Sequence, residues 1–179
     1  MNKDNILIVC ALEMETQDKL DDWDVIYTGV GKINATMKLV DRLTDYNYAR
    51  PELVINYGTA GSRKYKQGDM VDCTRFLQRD MDVTGLGFKI GQTPFEEDIP
   101  IIIQSESDFN PIGKNALCGS GDSFMKGLPY AWYKNQIGDV VDMEGYALAK
   151  VCRSYSIPFI SFKYITDGAD GDADIDWEK

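Results

Sequence analysis

Three groups of acids stand where short apolar runs give way to polar sequence. Glu144 lies in Val140-Val141-Asp142-Met143-Glu144-Gly145-Tyr146, where a strand-like run changes to a helical pattern. Asp167 lies in Tyr164-Ile165-Thr166-Asp167-Gly168-Ala169-Asp170, and Glu13-Met14-Glu15 follows the first apolar run of the chain. An acid at a strand end is held rigidly and points into the crevice where open α/β sheets bind small ligands. A carboxylate accepts hydrogen bonds from hydroxyls, and a protonated carboxyl donates one. Three such positions predict an enzyme site that handles hydroxyls and protons. Histidine is absent from all 179 residues. That excludes Ser-His-Asp and Cys-His nucleophiles and the usual histidine-containing zinc sites. Proton transfer near neutral pH then falls to carboxylates, water, lysine or tyrosine. No metal and no cofactor are expected. Taken singly, each acid also has a plainer role: Asp167 as a turn former before Gly168, Glu144 as a first-turn helix acid, Glu15 as a solvated helix residue.

The elements that must hold these acids follow a repeated order of strand, glycine turn and helix. Residues 6–10 form an apolar run, and a polar helix is expected over 13–21. Val25-Ile26-Tyr27 ends in Gly29-Val30-Gly31, and Ala35, Met37, Leu39, Val40 and Leu43 predict a helix over 34–46. Residues 53–57 end in Gly58-Thr59-Ala60-Gly61. A more β-like middle follows at 69–74, 99–104 and Leu117-Cys118, the last ending in Gly119-Ser120-Gly121. Residues 139–143 lead to a helix through Ala147, Leu148 and Val151 that stops before Pro158, and 159–165 form another buried strand. Such alternation predicts an α/β domain spanning 1–179 with a largely parallel sheet. The three glycine turns are expected to border one ligand cleft, because glycine lets a ligand approach the backbone closely. None spells a phosphate loop: Gly121 is followed by Asp122, and no turn reads GxGxxG.

Bulk properties narrow the partners. A net charge of −10 argues against nucleic acid or an anionic membrane. The apolar content of 44% suits a packed core, and no apolar run approaches the roughly 20 residues of a membrane span. The N-terminal residues have neither the basic flank nor the small-residue cleavage site of a signal peptide, so a cytoplasmic location is expected. Cys10, Cys73, Cys118 and Cys152 are scattered without CxxC spacing and are expected as buried free thiols.

Eight segments in register together resemble the nucleoside phosphorylase superfamily, specifically its 5′-methylthioadenosine/S-adenosylhomocysteine nucleosidase branch. They are residues 11–15, Thr28-Gly29-Val30-Gly31-Lys32-Ile33-Asn34-Ala35, Val54-Ile55-Asn56-Tyr57-Gly58-Thr59-Ala60-Gly61 and Gly68-Asp69-Met70-Val71. Asp82-Val83-Thr84-Gly85-Leu86-Gly87-Phe88, Ser120-Gly121-Asp122-Ser123-Phe124, Val141-Asp142-Met143-Glu144 and residues 165–170 complete the set. The resemblance implies a mixed, partly closed central sheet flanked by helices, a homodimer, and cleavage of the bond between a purine and C1′ of ribose. It implies Asp167 as the acid that protonates the purine N7 and Glu15 as the group that positions and activates water. Glu144 would bind the ribose 2′- and 3′-hydroxyls, with Met143 on the sugar face. Phe124 would stack on the base, and the Met125 backbone would read its edge. Thr59, Ala60 and Gly61 would line the space between sugar and water. Val83, Leu86, Phe88 and Trp177 would form an apolar pocket for a 5′-thioalkyl group. Without the resemblance, Phe124 and Met143 read as core.

These residue types suit the reaction. A glycosidic bond to a purine breaks through an oxocarbenium-like state, so protonating the leaving base relieves its negative charge. Phosphorylases of the superfamily hold phosphate with arginines, one in an N-terminal glycine loop and one before the second glycine turn. Here those places carry Ala11-Leu12-Glu13-Met14-Glu15 and Asn56. Acids repel phosphate where a guanidinium fork would bind it, so water is the expected nucleophile. The chain is shorter than typical members between Phe88 and Leu117 and after Trp177, which leaves the 5′ pocket and the dimer surface open. The alternatives are a phosphate-dependent purine nucleoside phosphorylase and a non-catalytic nucleoside-binding protein.

Overall fold

In a computed structural model of the chain, residues 2–105, 107–126 and 137–169 are described. Among them, eight strands and two α-helices occur in the order β1 Ile6–Cys10, β2 Asp24–Tyr27, α1 Lys32–Thr44, β3 Leu53–Gly61, β4 Met70–Gln78, β5 Ile102–Gln104, β6 Ala116–Ser120, β7 Val140–Asp142, α2 Gly145–Ser154 and β8 Phe159–Asp167. All eight strands join one sheet of order β2-β1-β3-β7-β6-β4-β5, with β8 bridging β3 and β4. Strands β3, β8, β4, β6 and β7 thereby close into a ring. Within it β3–β8, β4–β6 and β6–β7 are parallel, and β8–β4 and β7–β3 are antiparallel. Strands β1 and β2 extend the sheet from β3, and β5 pairs antiparallel with β4. The architecture is the α/β fold with a mixed, closed sheet that the resemblance implies.

Period-2 alternation explains why β1 is buried along its whole length. Leu7 and Val9 enter the main core with Leu39, Phe76, Leu148 and Phe159. Ile6, Ile8 and Cys10 face a second cluster with Leu53 and Ile160, covered by Leu20 and Trp23. Helix α2 buries seven of its ten residues, whereas α1 buries only Ala35 and Leu39, four residues apart on one face. The four cysteines are buried and unpaired. No helix among the described residues is long and apolar enough to cross a membrane.

Two expectations need correction. Residues 13–21 form no α-helix: Glu13–Glu15 is a single 3₁₀ turn, and Gln17 and Asp18 follow at φ of 48° and 57°. Leu20 packs on the second cluster while Met14 is exposed, so the segment forms no continuous apolar face, and its side chains bond locally, with Thr16 donating to the Glu13 carbonyl and Glu15 turning back on residues 11 and 12. Nor are Gly58 and Gly61 in a turn, because β3 continues through both. Likewise β6 runs to Ser120, past Gly119. Only Gly29 and Gly31 make a glycine turn of the expected kind, at φ of 78° and 97° just before α1.

Candidate active site

A cavity opens at the C-terminal ends of β3, β7 and β8. Its wall includes Glu15, Thr59, Ala60, Gly61, Phe124, Met125, Met143, Glu144 and Asp167, so nine of the thirteen expected site residues meet there. Val83 and Phe88 do not reach this wall among the described residues. Val83 precedes the 3₁₀ turn Thr84–Leu86, whose Leu86 is exposed, and Phe88 packs edge-on against Phe95. Trp177 lies outside the described residues.

The two outermost acids rest against one strand. Glu15 accepts from the backbone N–H groups of Ala11 and Leu12, both at 3.0 Å, through Oε2. Its Oε1 accepts from Thr59 N at 3.1 Å and, more loosely, from the Thr59 hydroxyl at 3.3 Å. That long contact is the one a water can most readily replace. Asp167, 4% exposed, accepts from the Thr166 hydroxyl and the Ala169 N–H, each at 2.8 Å. A Cβ on Gly58 would lie 3.0 Å from Glu15 Oε1, and one on Gly61 would lie 2.6 Å from Asp167 Oδ1. The strand glycines therefore leave bare backbone for the two carboxylates. Thr166 is the extra residue of a bulge, since Ala60 pairs with Ile165 and Gly61 with Asp167. A bulge of this kind re-aims a side chain at a sheet end.

Glu144 sits at the start of α2 and accepts from the Gly31 N–H at 2.8 Å. Burial, aided by the charge of Asp142, pushes its carboxyl up to about 7; Lys163 and the Gly31 N–H act in the opposite sense. Asp142 and Lys163 form a buried ion pair at 2.8 Å. Burial works to raise Asp142 and to lower Lys163, yet each holds the other charged, so Asp142 lies below the usual carboxylate range and Lys163 above the usual lysine range. Asp142 also accepts from Ser120 Oγ at 2.5 Å and from the Gly145 N–H at 2.9 Å. Asn56 donates to the Val9 carbonyl and accepts from Ser161, which makes it a buried neutral bridge.

Asp142, Lys163 and Arg79 were not among the expected site residues. Asp142 and Arg79 line the cavity, and Arg79 is 2% exposed. For Lys163 the signal was a single charge inside the apolar run of residues 159–165. For Arg79 it was a base directly after Phe76-Leu77-Gln78. Neither is specific without the fold. Among the described residues no cluster of three His, Cys, Asp or Glu has the arrangement of a metal site.

Residues 24–179 match the family model described as Phosphorylase superfamily. The chain belongs to the phosphorylase superfamily. Within the superfamily it is 33% identical over 176 residues to a 5′-methylthioadenosine/S-adenosylhomocysteine nucleosidase of Staphylococcus haemolyticus, a match covering 90% of this chain and 76% of that protein. Its likeness thus lies with the nucleosidase branch. Solved structures share the fold. The S-adenosylhomocysteine nucleosidase of Streptococcus pyogenes, in complex with 5-methylthiotubericidin, matches with a TM-score of 0.80 at 24% identity, over 99% of this chain and 89% of that one. The native futalosine hydrolase of Helicobacter pylori matches with a TM-score of 0.81 at 20% identity, over 97% and 88%.

Proposed function

We propose that this chain hydrolyses the N-glycosidic bond of adenine nucleosides, such as 5′-methylthioadenosine or S-adenosylhomocysteine, and releases free base. The observation that carries this reading is the convergence of Glu15 and Asp167 on the wall of one cavity, each lying close to bare glycine backbone of β3. Glu15, Glu144 and Asp167 all border that cavity, so an acid, a base and a hydroxyl acceptor can meet one nucleoside. Inverting glycosidases divide the work between an acid and a base in the same way, as an analogy of roles.

In this reading Asp167 protonates the purine N7 and Glu15 aligns and deprotonates the water. Glu144 accepts from the ribose 2′- and 3′-hydroxyls, and Met143 packs on the sugar. Phe124 stacks on the base, and the Met125 backbone reads its edge. Thr59, Ala60 and Gly61 border the water. Phosphate is disfavoured because Asn56 stands where phosphorylases place an arginine and its amide is already engaged. The chain acts in the cytoplasm as one domain, on methylthio-nucleosides from methionine salvage, and as a homodimer. Ile33 and Met37, exposed one turn apart on α1, support a second copy on that face.

Purified protein in phosphate-free buffer should release adenine from 5′-methylthioadenosine, followed by liquid chromatography. A strict phosphate requirement, with ribose 1-phosphate as product, would move the assignment to a phosphorylase. Tight binding by folded protein with no base released from a panel that includes futalosine would leave a nucleoside-binding protein.

A further inference from the structure

We infer that Arg79 and Asp80 are positioning residues that hold the segment 121–123, and through it the base-binding Phe124 and Met125. This inference rests on the base-holding role proposed above for those two residues.

The polar groups of the segment converge on this pair. Arg79 Nη2 donates to the Gly121 carbonyl at 3.3 Å and to the Ser123 carbonyl at 2.5 Å, and Nη1 donates to Ser123 Oγ at 3.1 Å. Asp80 Oδ2 accepts from the Asp122 N–H at 2.9 Å, while its Oδ1 pairs with Lys32 Nζ at 2.6 Å. The Lys32 N–H in turn donates to Asp122 Oδ1 at 2.8 Å. Two adjacent side chains thus grip three consecutive residues, and the rigid start of α1 backs them.

Gly121 closes the device. A Cβ there would lie 2.9 Å from both the Arg79 guanidinium and the Asp80 carboxyl carbon. The glycine is present for close approach of these two side chains, and it does not line the cavity. Arg79 is suited to this task because its planar fork can meet several acceptors at fixed angles, which a lysine ammonium cannot. Burial lowers the Arg79 pKa, with Asp80 and Asp142 opposing that shift, and three acceptors compensate the buried charge.

Because Gly31, next to Lys32, donates to Glu144, the same helix start braces both ends of the proposed nucleoside. Base and ribose contacts are therefore held in one frame.

Calorimetry with free adenine tests this without requiring turnover. In Arg79→Lys, Gly121→Ala and Asp80→Asn, adenine affinity should fall about tenfold, with a matching rise in KM and less than a threefold change in kcat. A merely structural loss lowers the folded fraction, hence apparent kcat, and leaves the KM and adenine affinity of folded molecules unchanged. Asp80→Asn keeps the buried guanidinium and its shape, so it supplies a folded variant should Arg79→Lys or Gly121→Ala fail, with thermal melting as the check. Wild-type binding of adenine with folded variants within twofold of it overturns the inference. Absence of adenine binding by the wild type would instead remove the base-site reading beneath it.

Discussion

Glu144 and Asp167 are both buried, yet their surroundings set different tasks. Burial and the nearby charge of Asp142 push Glu144 up to about 7, from an ordinary 4.5. A carboxyl raised in this way holds its proton more tightly folded than unfolded. Its contribution to stability is present at low pH and is lost as pH rises from about 4.5 through about 7. Hydroxyl binding has the opposite sense, because the ionised form is the better acceptor. The kcat/KM profile should therefore fall below pH about 7, and Glu144→Gln should lower kcat/KM and erase that acid limb. An unchanged limb in the variant would detach it from Glu144. Asp167→Asn keeps the size and an Oδ1 acceptor for the Ala169 N–H, and its Nδ2 can donate to the Thr166 hydroxyl oxygen, but it cannot donate the acid proton. It should cost about 10²–10⁴-fold in kcat in protein that still folds, measured by steady-state kinetics beside thermal melting. Wild-type turnover in this variant would take the acid role from Asp167.

Strand β3 is what turns these side chains into a geometry. Its glycines act by leaving space, and the bulge opposite Ala60 and Gly61 brings Asp167 alongside Gly61. The two positions should respond unequally to a methyl group. At Gly61 the contact would be 2.6 Å and Ala169 and Val141 crowd the same point, so Asp167 must move. At Gly58 the contact is 3.0 Å, to the end of a longer side chain, and the next atoms lie at 3.6 Å. Gly61→Ala should reduce kcat at least tenfold more than Gly58→Ala does. Kinetics on the two purified variants decides this, and equal losses would show that the glycines serve the strand and not the acids.

Closure of the ring joins residues that the chain separates widely. Asp142 on β7 and Lys163 on β8 meet as a buried pair only because both strands belong to the same closed sheet through β3. Such a pair adds little over a well-packed apolar replacement of both partners, but breaking it strands a charge in the interior. Lys163→Met should destabilise the protein by about 3–5 kcal/mol in chemical denaturation. A loss below about 1 kcal/mol would mean that Asp142 finds solvent or another partner.

Much was legible in the sequence because the signals are local. Apolar runs place all eight strands to within four residues at either end, helical spacing places α1 and α2, and motif order identifies the superfamily and brings Glu15, Glu144 and Asp167 forward. The chain alone also rules out histidine chemistry. It does not reveal that Gly58, Gly61 and Gly121 are spacers, since glycine at a strand end reads the same for a turn, a ligand approach or a close side chain. Nor does it reveal the parts of Arg79, Asp142 and Lys163, each a lone charge beside apolar neighbours. Their roles depend on partners 21 to 44 residues away, and only closure of the sheet decides which charges meet and which backbone lies bare beside them.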